Sequence, residues 1–180
     1  MPGVDITVAA GSGGLAADGT TTGATSVAQP FTNGIVRSGM VVRVSAQFDK
    51  TTNTTLANIP GLSVTLLAGA TYLFRATLFA TVNGVGLGKI ALAGTCTATS
   101  LIAIPVMISS DSATAVPATR VTALGAATAD PSGGTSSTYI VTGTITVNAG
   151  GTFTVQFAQN VSSGTSSILV GSTLEVEKVA

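Results

Sequence analysis

Histidine and tryptophan are absent from this 180-residue chain, cysteine occurs once, and charge is scarce, with seven basic and seven acidic residues. Each absence excludes something. Without His no Ser–His–Asp triad can be assembled, and the commonest side-chain metal ligand is missing. The single Cys96 has no intrachain disulfide partner and reads as a small buried hydrophobe, mid-strand between Thr95 and Thr97. The charges are balanced and unclustered, which argues against a nucleic-acid partner and against an anionic membrane surface. The longest apolar run, Leu101 to Ile108, falls far short of the ~20 residues of a spanning helix. Six Phe and two Tyr are too few for the aromatic girdles of an outer-membrane barrel. Met1-Pro2-Gly3-Val4-Asp5 lacks a basic n-region and an apolar h-region. Synthesis in a reducing cytoplasm is the expectation.

What the chain does have is a ladder of period-two strands. Tyr139, Val141, Ile145 and Val147 alternate with Thr138, Thr142, Thr144 and Thr146. After the turn Asn148-Ala149-Gly150-Gly151, Phe153, Val155 and Phe157 alternate with Thr152, Thr154 and Gln156. Successive strand side chains point to opposite faces, so this pattern buries one face and presents hydroxyls on the other. Further strands are expected over 40–48, near Leu56, over 62–66 and over 71–82, the last closed by an Asn83-Gly84 hairpin signal. Others follow at 89–99, 102–108, around Val121, at 138–147, 152–159 and 168–179. The small residues of 91–98 mark a place where another backbone approaches closely. Pro105 is tolerable only at an edge or a bulge. Short strands at regular spacing with no amphipathic helix give an all-β fold, an antiparallel jelly-roll sandwich of about eight to ten strands. Phe74, Leu78, Ile104, Val141, Ile145, Phe153, Val155, Phe157, Val170 and Leu174 are its expected core.

Residues 1–36 differ in composition. Gly11-Ser12-Gly13-Gly14 and Gly19-Thr20-Thr21-Thr22-Gly23-Ala24-Thr25 are small and aperiodic, with Val4, Ile6, Val8, Leu15, Val27 and Phe31 scattered between them. This predicts an extended N-terminal arm over 1–36 ahead of a jelly-roll domain over 37–180. Its low charge suits an arm ordered against a neighbouring subunit better than a solvated tail.

Several motifs carry chemistry in appearance only. Asn83-Gly84-Val85-Gly86-Leu87-Gly88-Lys89 has Asn where a phosphate loop needs its first Gly, and Ile90 where it needs Ser or Thr. Asp49, Asp111 and Asp130 have no acidic neighbours at calcium-loop spacing. Glu175 and Glu177 project in parallel from one strand, unlike a glycosidase pair that flanks its bond, and with Lys178 they read as a charged strand end that resists edge pairing. The sequons Asn53-Thr54-Thr55 and Asn160-Val161-Ser162 have no secretory signal beside them. No catalytic, cofactor-binding or metal-ligating residue emerges, and the chain is not expected to be an enzyme or to carry a cofactor.

The stretch from Leu66 onward resembles a family of tailed-bacteriophage virion proteins. The resemblance is carried, in order, by Ala68-Gly69-Ala70-Thr71-Tyr72-Leu73-Phe74 and Gly88-Lys89-Ile90-Ala91-Leu92-Ala93-Gly94-Thr95. It continues through Gly143–Thr152, Val155–Asn160 and Ser167–Val176, and spans about two thirds of the chain. It implies a jelly-roll virion component, usually a homotrimer, made in the bacterial host cytoplasm. Two roles follow. One is a capsid decoration, or cement, protein on the outside of the phage head, with the major capsid protein as partner. The alternative is a tail-fibre or receptor-binding minor tail protein. The short chain, the sparsely charged arm and the poverty of aromatics favour decoration. An arm of this length could reach roughly 100 Å at about 3.3 Å per residue.

Overall fold

A computed structural model of the chain describes residues 29–30, 36–37, 39–109, 115–117, 119–130 and 135–179. Contacts divide the chain after Arg37. In the N-terminal unit β1 (Gln29–Pro30) pairs antiparallel with β2 (Val36–Arg37). The remainder of the arm expected over 1–36 lies outside the described residues.

The second unit is all strand, with no helix among the described residues. Its elements are β3 (Gly39–Arg43), β4 (Phe48–Thr51), β5 (Ala57–Leu66), β6 (Thr71–Thr81), β7 (Lys89–Gly94), β8 (Thr97–Ser109) and β9 (Ala115–Pro117). Then come β10 (Ala127–Ala129), β11 (Ser136–Ala149), β12 (Gly151–Ala158), β13 (Thr165–Ile168) and β14 (Thr173–Lys178). One sheet runs β10-β7-β12-β5; the larger runs β3-β14-β6-β11-β8-β9, with β13 pairing both β4 and β6. Taking β3, β5, β6, β7, β10, β11, β12 and β14 as eight successive strands, the larger sheet orders them first-eighth-third-sixth and the smaller second-seventh-fourth-fifth. That order is the jelly roll, in which the chain passes back and forth between two antiparallel sheets. β8 and β9 are additions that widen the larger sheet beyond β11.

The core lies between the sheets. Phe74 of β6 meets Phe153 of β12 edge to face, with ring centroids 5.1 Å apart, and Tyr139 of β11 lies 6.5 Å from Phe157. Phe74, Leu78, Val141, Ile145, Phe153, Val155, Phe157 and Leu174 are all buried, as the alternation predicts. The β6 row Tyr72, Phe74, Ala76, Leu78, Ala80 and Val82 is buried throughout.

Two expected core residues are not there. Ile104 is 48% exposed and Val170 58% exposed. On β8 the inward row is Leu101, Ala103, Pro105 and Met107, in register with Ile145, Gly143, Val141 and Tyr139 of β11. Fixing β11 by its Tyr and β-branched residues forces that parity on β8 and turns Ile102, Ile104 and Ile108 outward. Val170 belongs not to a strand but to a turn: Gly171 has φ of +92°, and Ser172 returns its hydroxyl to the Leu169 carbonyl at 2.9 Å. The expected strand 168–179 is thus broken into β13 and β14.

Other differences have equally local causes. The 40–48 strand divides into β3 and β4, leaving Ala46 exposed in the bend and Met40 partly exposed at the sheet end. Near Leu56 and over 62–66 the chain forms a single strand, β5, running through Pro60-Gly61. Gly61 adopts φ of +86°, and a Cβ there would sit 2.5 Å from the Arg43 carbonyl oxygen. Asn83-Gly84 does not close a hairpin: β6 and β7 lie in different sheets, and the turn is a crossover. Nor is Cys96 mid-strand. It is buried at the corner where the chain leaves β7 for β8. The close approach expected from the small residues of 91–98 is made within the chain, since a Cβ on Gly94 would meet the Thr152 carbonyl oxygen at 2.0 Å.

Pro105 sits where its missing N–H costs least. Ala103, two residues earlier on the same row, donates its N–H outward to Val121 at 2.9 Å. By strand periodicity the Pro105 nitrogen faces that same outer edge, so the β11 ladder loses nothing.

Candidate interaction surface

The outer face of the larger sheet is the most distinctive surface of the domain. Register fixes its rows. Leu73 of β6, Thr144 of β11 and Ile102 of β8 stand side by side, as do Arg75, Thr142 and Ile104. Thr77, Ile140 and Val106 form a third row, and Phe79, Thr138 and Ile108 a fourth. Leu73, Phe79, Ile102, Ile104 and Ile108 are all exposed. β8 thus carries an outward column of four β-branched aliphatics, while its core face carries Ala103 and Pro105 between Leu101 and Met107. β8 keeps its bulkier aliphatics on the solvent side, an exposed apolar patch of the kind found at interaction sites.

Thr144 points outward, as its sequence position predicts, and is half-buried between Ile102 and Leu73. Charge enters at Arg75, exposed on β6, and at the far margin. Glu175 and Glu177 of β14 stand in register with Arg75 and Leu73. With Val41 they line an open groove of about 270 Å³. The parallel projection expected of the two glutamates from one strand face is what the register gives.

At the end of the sandwich where β6 crosses to β7, polar side chains replace charge as the organising element. Gln159 is fully buried. Its Oε1 accepts from the Asn53 N–H at 2.9 Å, while its Nε2 donates to the Gly164 carbonyl at 3.2 Å and to the Ser163 carbonyl. The Asn83 Oδ1 accepts from the N–H groups of Val85 at 3.1 Å and Gly86 at 2.8 Å. The glycine-rich segment 83–89 therefore folds around its own asparagine. Asn160 and Val161 donate to the Gly86 carbonyl at 3.0 and 2.9 Å, which ties this turn to the loop after β12.

Asp130 is buried nearby, and its Oδ2 accepts from Tyr139 at 3.0 Å and Ser137 at 3.1 Å. Burial first, then the adjacent carboxylate, pushes the Tyr139 phenol well above its ordinary range. Gly88 makes room for it, since a Cβ there would lie 2.4 Å from the Tyr139 hydroxyl. Sequence reading missed this cluster. Tyr139 and Ser137 were legible as one strand face, but the position of Asp130 depends on the loop before β11.

The remaining candidates separate. Asp49 is exposed on β4, its carboxyl held below the usual range by the Gln47 amide and the Ser167 hydroxyl. Asp111 lies outside the described residues. No cluster of three metal-ligating side chains occurs among the described residues. Burial pushes the Cys96 thiol up, the opposite of what a reactive cysteine requires. No described helix is long and apolar enough to cross a membrane.

No protein-family model matches the chain, and no curated protein matches it. Among solved structures, the chain is similar to that of infectious bursal disease virus Gt strain, with 11% identity over 79% of this chain and a TM-score of 0.22. It is likewise similar to the infectious bursal disease virus VP2 subviral particle, at 12% identity over 79% of this chain and a TM-score of 0.22. The chain spans 41% and 39% of those chains. The fold assignment rests on strand order and not on these distant likenesses.

Proposed function

We propose that this chain is a structural virion protein, a capsid decoration protein that binds the outside of a phage head as a homotrimer and stabilises it. The observation that carries the reading is the aliphatic and threonine face that β11 and β8 present on the larger sheet, on a domain whose buried side-chain polar atoms, among the described residues, all have hydrogen-bond partners. Such a face commits the domain to protein–protein contact. The ordered resemblance of Ala68–Phe74, Gly88–Thr95, Gly143–Thr152 and Ser167–Val176 to phage virion proteins supplies the setting. The low charge of the segment 1–36 suits an attachment arm that adds backbone hydrogen bonds to a sheet edge of the shell.

Locating the protein on purified virions, by electron microscopy with a specific label, tests this. Density on the outer surface of the head is expected. Label confined to the tail tip would overturn the reading in favour of a tail-fibre or receptor-binding protein.

A further inference from the structure

We propose that the β8 column Ile102, Ile104, Val106 and Ile108 is the self-association seam of the trimer, packed against the same column in two further copies of this chain. This rests on the trimeric reading above and names the surface that would make it.

Three observations lead here. First, β8 is an addition to the eight-stranded jelly roll, and its outward side chains are bulkier than most of its inward ones. The core face is complete without them, because Ala103 and Met107 are fully buried. Second, the neighbours of the column on β11 are Thr138, Ile140, Thr142 and Thr144. A threonine hydroxyl both donates and accepts, so an identical copy can satisfy it, and no charged side chain stands on β8 or β11, the first being Arg75 on β6. Third, the size suits the centre of an interface. Three strands from β6 to β8, at about 4.8 Å spacing, and seven residues of length, at about 3.3 Å each, give a face on the order of 300 Å² per copy. A standard interface buries about 800 Å² per partner, so this face supplies its apolar middle. A straight aliphatic column along one strand suits a threefold axis parallel to that strand, where three columns meet and exclude water.

Light scattering at micromolar concentration on the full chain, with Ile104→Lys, Ile108→Lys and Val41→Lys, tests the seam. Val41 is exposed on β3, four strands away across the sheet. The unmodified chain and Val41→Lys should be trimers. Ile104→Lys and Ile108→Lys should be monomers with unchanged circular dichroism, the trimer being weakened by roughly 100-fold or more, as for a central interface position. A trimer that survives both substitutions overturns the seam and leaves the trimeric reading standing. A monomeric unmodified chain overturns that reading itself, and the seam with it. Should either lysine variant misfold, Ile104→Cys in a Cys96→Ala background decides. Near a threefold axis it should cross-link between copies with a short bis-maleimide, and a trimer that fails to cross-link overturns the seam.

Discussion

The Tyr139 hydroxyl donates to the Asp130 carboxylate at 3.0 Å inside the domain, joining the loop after β10 to the first residues of β11. Ser137, one turn of the pleat away on the same face, donates to the same oxygen at 3.1 Å. Two strand hydroxyls therefore hold one buried carboxylate, and the Asp130 N–H is itself bound to the Gly88 carbonyl at 2.8 Å. The arrangement ties both crossover loops to one strand.

Replacing Tyr139 with Phe removes a donor from a buried acceptor and should cost about 1–3 kcal/mol at neutral pH, read by denaturant unfolding. The pH profile gives a second readout. The folded protein holds the Tyr139 proton through burial and the Asp130 charge, whereas the unfolded chain releases it near pH 10. Above that pH the folded state binds more protons than the unfolded one. Stability must then fall with rising pH, at up to about 1.4 kcal/mol per unit from this group. The Phe variant should show a shallower decline above pH 10; an identical slope would remove Tyr139 from the cause.

Sequence periodicity placed the β12 face correctly because its bulky apolar residues lie on one parity only, and the β6 and β11 faces because theirs predominate on one parity, Leu73, Phe79 and Ile140 being the exceptions. It failed on β8, where both parities are apolar: Leu101, Ala103, Pro105 and Met107 against Ile102, Ile104, Val106 and Ile108. Nothing local separates two such registers, and the neighbour β11 decides. It failed again at Val170, where a Gly-Ser turn interrupts an apparent alternation. The interaction face was legible only in half, as threonines, because Ile104, and with it the parity of β8, reads as core in the sequence. The Gln159 network was invisible because Asn53 and Gln159 are 106 residues apart; the Asp130 cluster joins residues only seven and nine apart, but depends on how the loop before β11 folds.

Gly143 sits beneath the Phe74 ring on the inner face of β11. A Cβ there would meet the Ile102 carbonyl oxygen at 2.2 Å and the ring at 2.9 Å. Gly143→Val should therefore destabilise the domain, despite the higher strand propensity of valine, by about 1–3 kcal/mol or more. A gain in melting temperature would show that the row Phe74–Gly143–Ala103 has slack.

Phe153 and Phe157 are fully buried on β12, with Phe153 held edge to face against Phe74. Truncating either to Ala removes a buried ring and leaves a cavity between two sheets that have little freedom to collapse. Urea unfolding should register a loss of roughly 3–5 kcal/mol for each.

Gln159 satisfies main-chain groups in two loops at once, and Leu in its place would keep volume but abandon them. The N–H of Asn53 and the carbonyls of Ser163 and Gly164 would lose their amide partner. A cost of about 2–4 kcal/mol is expected from the lost partners. Amide exchange should rise first in residues 53–56 and 160–164, since local opening there precedes global unfolding.

The sharpest prediction concerns the segment before β3. Every described residue of the buried apolar cluster lies between Val44 and Val176, so a chain starting at Ser38 keeps that cluster and should fold by itself. Its melting temperature should stay within a few degrees of the full chain, the change expected when that cluster is kept. If the segment 1–36 is the attachment arm, the shortened protein should still form trimers through the β8 seam, yet bind phage heads far more weakly and no longer protect them from heat. Binding equal to that of the full chain would assign attachment to the jelly roll itself. Failure to fold would make the segment part of the domain, with a boundary well before residue 37.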